Sequence, residues 1–208
     1  MQLPTLILLR YNTDTMIRKA TPQDAEAIAT YLLLAMEGIV YQFIGQRNWE
    51  EAMTFMQHFT AREHNQYAYQ NCWVAEADGK VVGAVNVYNG GDLHELRAPV
   101  INHILTHYHF SFLPEDETGP GEYYIDTIGV HPEYRGRGIG ARLLQHLVDE
   151  FVNRRGETLG LLVAEGNPQA KRLYTKLGFK PVGKRVVFGI PMEHLQINNH
   201  IWVHSSNL

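Results

Sequence analysis

An α/β fold is predicted by three features of the chain. Apolar residues recur at period two in some stretches and at period 3.6 in others. Asp78-Gly79 sits inside "YQNCWVAEADGKVVGAVNVY", between two strand-like runs, which signals a two-residue hairpin turn. From residue 122 onward the order is strand, glycine-rich loop, helix, strand, capped helix, strand.

The elements follow in order. "MIRKA", 16–20, alternates like a short strand. Thr21 is placed to cap a helix, with Pro22 at its first position and Asp24 in its first turn. Ala25, Ile28, Ala29, Leu32 and Leu33 form its apolar stripe, and Gly38 is expected to end it. Asn48 with Glu51 makes a capping box for a second helix, whose face runs through Ala52, Phe55, Met56 and Phe59. After the hairpin, 89–121 opens and closes on turn residues and holds only a short amphipathic piece. It reads as an insertion, longer than ordinary connections and of the kind that often serves function. "EYYIDTIGV" is a strand. Residues 138–156 form a helix with Ile139, Leu143, Leu144, Leu147, Val148 and Phe151 inward and Gly156 as its stop. "TLGLLVAE" is a buried strand, and Asn167-Pro168 caps a last helix that turns Leu173, Tyr174 and Leu177 inward and ends at Gly178. Residues 179–203 should be two strands, the second poorly defined.

Bulk composition narrows the function classes. With 208 residues, 45% hydrophobic and 19% charged, the chain suits one large globular domain. A net charge of −4 provides no general attraction for nucleic acid, although "RGRG" is locally basic. Cys72 is the single cysteine, which excludes an internal disulfide and fits a cytoplasmic protein; beside Trp73 it reads as a buried, inert thiol. The N-terminal "MQLPTLILLR" is too short for a membrane span and lacks the flanks of a signal segment, so no membrane partner is expected. Regular patterning starts at Met16. Residues 1–15 are therefore read as a leader or extra segment before a single domain over 16–208.

Chemistry concentrates in "HPEYRGRGIGARLL", 131–144. Glycines let backbone N–H groups approach a ligand, and a following helix adds the positive end of its dipole. Arg135 and Arg137 add forked donors suited to phosphate oxygens. A structural turn needs one glycine, not the alternation of Gly136, Gly138 and Gly140. Gly136-x-Gly138-x-x-Ala141 formally fits the dinucleotide fingerprint. Against it, residues 131–135 separate strand from loop, too little chain follows for a doubly wound sheet, and Glu165 is far along for a ribose contact.

Arg135-x-x-Gly138-x-Gly140, after a strand ending in "VHPEY", resembles the Q/R-x-x-G-x-G/A signature of the GNAT superfamily of acyl-CoA N-acyltransferases. "VAEGNPQAKRLYTKLGFK" is similar to that family's second block, and "IRKATPQDAEAI" and the hairpin sit where the family places them, so the resemblance spans about 16–190. It implies a mixed, mostly antiparallel central sheet flanked by helices, with a splay between the parallel strands "YYIDTIGV" and "TLGLLVAE". It implies acetyl-CoA as donor, its pyrophosphate on the backbone of Gly136, Arg137, Gly138, Ile139, Gly140 and Ala141 beside Arg135. The main chain of Ile128, Gly129 and Val130 would bond the pantetheine arm, and Asn167, also explicable as a helix cap, would touch the cofactor. Tyr174 matches the family's general acid toward the leaving thiolate. The reaction implied is direct attack of an amine, from a small molecule or a peptide, on the thioester in a ternary complex. A non-catalytic acyl-CoA-binding regulatory module is the alternative.

For the base, Asp126 is the best candidate, on the face shared at period two with Tyr124 and Ile128; Glu122 is a weaker one. His103 and His107 are spaced to share a helix face and His109 follows, but no cysteine or well-placed carboxylate completes a zinc set, so no metal is expected. The insertion is expected to line or lid the acceptor pocket, anchored by "DLHELRAP", with Tyr41, Phe43 and Trp49 as the opposite wall. Core or homodimer packing is left open for those aromatics, and His194 is taken as a surface residue.

Overall fold

The computed structural model describes residues 15–109, 111 and 114–199; the predicted leader, apart from Thr15, lies outside them. Seven strands form one sheet: β1 Met16–Lys19, β2 Cys72–Ala77, β3 Lys80–Asn89, β4 Tyr123–Val130, β5 Leu159–Ala164, β6 Lys180–Val187 and β7 Ile190–Ile197. Their order is β1-β2-β3-β4-β5-β7-β6, and every pairing is antiparallel except that of β4 with β5. The expected mixed, mostly antiparallel sheet is therefore present. The strand expected to be poorly defined, β7, is an inner one.

The β4–β5 ladder runs from Tyr123↔Leu159 to Ile125↔Leu161 and stops. Beyond it, β4 pairs only with β3 among the described residues. This is the expected splay. On the β3 side the register steps from Asn86↔Thr127 to Val87↔Ile125, which leaves Asp126 as the extra residue of a β-bulge.

Helices cover both faces. On one lie α1 Ala25–Ile44 and α2 Trp49–Thr60, sharing a core of Ile28, Leu32, Leu33, Phe55 and Met56 with Cys72, Val74 and Ala84 of the sheet. On the other, α4 Ile139–Leu147 buries Leu143, Leu144 and Leu147 with Ile125, Leu161 and Val163, and Leu173, Tyr174 and Leu177 of α5 Pro168–Lys176 pack against that cluster. Each fully buried side chain of this size contributes about 1.5–3 kcal/mol.

The start of α1 is fixed by its caps. A 3-10 turn, Pro22–Asp24, leads into it, and the Asp24 carboxylate accepts from the Thr21 N–H at 2.8 Å and from Arg18 at 2.7 and 2.9 Å. The predicted stop at Gly38 is wrong. The helix bends at Met36 and continues to Gly45, at φ +69°, because Val40, Phe43 and Ile44 extend the stripe into the core. Asn48 caps α2 as predicted, accepting from the Glu51 N–H at 3.1 Å. Asp78 and Gly79, at φ +52° and +70°, make the hairpin turn. The insertion holds more than a short piece: α3 Leu93–His107 has 15 residues, with Pro99 inside it. After α4 the chain passes into a π-helical segment, Val148–Arg154, before Gly156 stops it at φ +72°.

Candidate active site

Two of the three loop glycines are required by the backbone itself. Gly136 and Gly138 have φ of +76° and +80°, a region costly for residues with a Cβ. Gly140 lies in α4 with room for a methyl group, the nearest atom to an added Cβ being Val130 Cγ2 at 3.9 Å. Among the described residues no side chain caps α4, whose first helical bond runs from the Arg142 N–H to the Gly138 carbonyl at 3.0 Å. The earlier N–H groups of Ile139, Gly140 and Ala141 thus stand at the positive end of the helix dipole. Arg135 donates from Nε to the Val130 carbonyl at 3.2 Å, and the Arg137 guanidinium lies 4.8 Å from the Tyr134 ring centre; both side chains are exposed.

Ile128, Gly129 and Val130 pair with Val85, Ala84 and Gly83 on one side and border the splay on the other. The bulge corrects the period-two expectation. Tyr124, Asp126 and Thr127 line a cavity on the α1 face, whereas Ile128 packs toward α4 on the opposite face. Asp126 is the first residue past the last β4–β5 pair, so the cavity lies where the strands part.

That cavity, of about 100 Å³, is walled by Met36, Ile39 and Phe43 of α1, Val100, Ile101 and Ile104 of α3, and Phe188 and Met192 of the last hairpin. Residues of the insertion, Arg97 and Glu117 among them, line it too. Of the aromatic wall, Phe43 takes part; Tyr41 and Trp49 do not. Its polar end holds two carboxylates. Gln66 Nε2 donates to Glu117 Oε1 at 2.8 Å and to Asp126 Oδ2 at 2.7 Å, and the Tyr88 hydroxyl lies 3.0 and 3.1 Å from the same oxygens. One hydroxyl proton serves one of these acceptors at a time. Thr127 Oγ1 donates to Asp126 Oδ1 at 2.7 Å. Arg97, the anchor in "DLHELRAP", pairs with Glu117 at 3.1 Å and Asp116 at 3.3 Å.

Sequence reasoning missed Glu117. Burial, and next the charge of Asp126, push its carboxyl up to about 7 against the pull of Arg97 and Tyr88. The folded chain then keeps a proton that the unfolded chain loses at its ordinary carboxylate value. Stability from this group is therefore present at low pH and lost as pH rises to about 7. Glu117→Gln should flatten that decline, gaining on the order of 1–3 kcal/mol relative to wild type between pH 5 and pH 8. Urea unfolding at both pH values checks this, and parallel pH dependences in the two proteins would contradict it.

Glu122 and His194 are engaged elsewhere. His194 is buried, not a surface residue, with Nε2 2.8 Å from Glu122 Oε2. Glu122 also accepts from Thr118 and Gln196, each at 2.7 Å, and occupies the space that a side chain at Gly160 would need. Burial raises its pKa, but these bonds outweigh burial and hold the carboxyl below its ordinary value, a poor setting for a base.

Tyr174 is half-buried on α5 against the cluster containing Ile128 and Val130, edge-on to Phe179 at 6.1 Å. Burial raises its phenol pKa, and its hydroxyl forms no hydrogen bond to another described residue. Asn167 caps α5, accepting from the Ala170 N–H at 3.1 Å. The rings of His103 and His107 stack at 4.0 Å and those of His58 and His103 at 4.2 Å. Among the described residues no group of three or more ligating side chains is placed to hold a metal ion.

Comparison with known proteins agrees with this geometry. A solved acetyltransferase crystal structure superposes with a TM-score of 0.73 at 32% identity, covering 88% of this chain and 98% of that one. The N-alpha-acetyltransferase RimI of Mycobacterium tuberculosis is 50% identical over 68 residues, 33% of this chain and 41% of the relative. The [ribosomal protein bS18]-alanine N-acetyltransferase of Escherichia coli K12 is 46% identical over 58 residues, 28% of this chain and 39% of the relative. These curated relatives are thus matched over less than half their length. The sequence profile of the acetyltransferase (GNAT) family covers residues 41–179. That match takes in the uncapped glycine-led helix, the parted strands and the Asn167–Tyr174 helix together, and the chain belongs to the acetyltransferase (GNAT) family.

Proposed function

We propose that this protein transfers an acetyl group from acetyl-CoA to a primary amine by direct attack in a ternary complex. The observation that carries the reading is the parting of β4 from β5 at Asp126, between an uncapped helix N-terminus led by Gly136 and Gly138 and a cavity ending in carboxylates. The main chain of 136–141, with Arg135, holds the pyrophosphate, and the open edge of Ile128, Gly129 and Val130 holds the pantetheine arm as an added strand does. Asn167 borders the cofactor while capping α5. A cytoplasmic location goes with this reading, on the ground that the single cysteine, Cys72, allows no internal disulfide.

The chemistry balances within the site. An acceptor that arrives as its ammonium first releases one proton to solvent through the carboxylate pair. The lone pair so freed forms the N–C bond to the thioester carbonyl carbon, and Asp126 takes the second proton from that nitrogen. The C–S bond then breaks with its electron pair on sulfur, and Tyr174 delivers a proton to that sulfur. Amide and free thiol leave, and solvent returns the proton from Asp126 to Tyr174.

Acetyl-CoA at about 100 times its dissociation constant should stabilise the fold by about 2.7 kcal/mol, read as a higher melting temperature, while NAD(P) gives no shift. Absence of a shift with acetyl-CoA would end this reading. Thiol release on adding an amine separates the enzyme from a non-catalytic acyl-CoA-binding module, which would bind without turnover.

A further inference from the structure

We propose that the acceptor is a small primary amine on a compact apolar body, carrying no carboxylate, and held as its ammonium by Glu117 and Asp126. This rests on the transferase reading above. Three observations on the cavity select the acceptor. The walls are apolar on three sides, from Phe43, Val100, Ile104 and Met192 among others, so the body of the ligand must be apolar to replace water favourably. The volume, about 100 Å³, is below the ~150 Å³ of an apolar cavity that takes benzene, which sets the size at a short branched alkyl chain. The polar end can carry negative charge in excess. Asp126 and Glu117, which sheds its proton only as pH rises to about 7, face one lining cation, Arg97, already committed to Glu117, Asp116 and the carbonyls of Pro114 and Glu115, so the test is run at pH 8.

The carboxylate pair places the ammonium. Gln66 Nε2 contacts Glu117 Oε1, Asp126 Oδ2 and the Tyr88 hydroxyl oxygen, Tyr88 has one proton for the same two carboxylate oxygens, and Arg97 also donates to Glu117 Oε1, so these neighbours hold both carboxyl groups at one point of the wall. An ammonium brings three donors to these acceptors and a charge that both favour. Gln66 is itself fixed, its N–H bonded to the Leu96 carbonyl at 2.8 Å and its carbonyl to Asn86 Nδ2 at 3.1 Å, so the cradle is held by α3 and β3 before any ligand arrives. An amino acid would bring a third carboxylate beside these two with no uncommitted lining cation among the described residues to meet it. A peptide N-terminus would bring a further chain of polar backbone groups against the apolar lining of α3 and Pro114.

A matched pair of acceptors tests this: isopentylamine, and leucine, which is the same amine with a carboxylate. A short peptide beginning with alanine is the third arm. Thiol release at saturating acetyl-CoA should give isopentylamine a kcat/KM roughly 100-fold above leucine and the peptide. Ile101, a half-buried wall residue, provides the variants. Ile101→Trp should cut kcat/KM for isopentylamine about 10-fold, and Ile101→Ala should move the preference to longer alkylamines, with acetyl-CoA affinity by calorimetry unchanged in both. Should the Trp variant not fold, the Ala variant carries the test. If acetyl-CoA binds and leucine or the peptide matches isopentylamine, or no amine turns over, the acceptor proposal is overturned. If acetyl-CoA does not bind, the transferase reading itself has failed.

Discussion

Tyr174→Phe is expected to slow thiol release by about 10²–10⁴-fold, the usual worth of a positioned acid, and to leave acetyl-CoA affinity nearly unchanged. The substitution removes one oxygen from a ring whose packing against Phe179 and the α4 cluster is made by carbon. Since the hydroxyl bonds no described residue, its loss breaks no hydrogen bond among them, and the melting temperature should stay close to wild type. Burial raises the phenol pKa, which keeps the proton on oxygen at neutral pH until a thiolate develops beside it. The variant should therefore lower kcat and kcat/KM together. Wild-type turnover in the Phe variant would remove Tyr174 from the mechanism; a fall in acetyl-CoA affinity alone would make it a cofactor contact.

The largest effect on stability is expected from Gly129→Ala. A Cβ there would lie 1.9 Å from the Tyr31 carbonyl oxygen and 2.6 Å from its carbon. Both atoms belong to the backbone of α1, so no rotamer change relieves the overlap. The helix must lift from β4, and it is held there by Ile28, Leu32 and Leu33 in the core and by the Tyr31 hydroxyl donating to the Val81 carbonyl at 2.6 Å. A loss of about 3 kcal/mol is expected by chemical denaturation. Gly140→Ala is the control, with an added Cβ in ordinary contact only and a gain in helix propensity of about 0.5–1 kcal/mol. Equal stabilities for the two variants would show that the approach of α1 to β4 relaxes freely. The glycine at 129 is thus explained by helix packing, whatever its backbone does at the open edge.

What was legible in the sequence was local. Asn48, Asp78-Gly79 and Asn167-Pro168 act through bonds within a few residues and formed their caps and turn, although of the Asn48–Glu51 box only the Asn48 half is made, the Glu51 carboxylate accepting from Tyr108 instead. The glycine loop was legible for the same reason: the positive φ values of Gly136 and Gly138 are a property of the loop alone. What escaped depends on distant partners. The bulge that sets Asp126 apart from Ile128 is decided by how Asn86 and Val87 meet β4, and no pattern within β4 announces it. Glu115, Asp116 and Glu117 look alike in sequence, and only Arg97, Gln66 and Tyr88, all remote, draw the third into the cavity. His194 looked like a surface residue because Glu122, its partner, lies 72 positions away. Gly38 misled because glycine often stops a helix, but here the buried residues beyond it outweigh its weak propensity.

The strand order has a consequence for synthesis. β5 shares only three pairs with β4, while six join it to β7, whose last residue is Ile197. As the chain leaves the ribosome, β1 to β4 have their neighbours early, but β5 waits as a bare edge until β7 inserts between it and β6. Closure of the sheet is then a late, long-range event, and the half that carries Tyr174 is the last to gain its lasting shape.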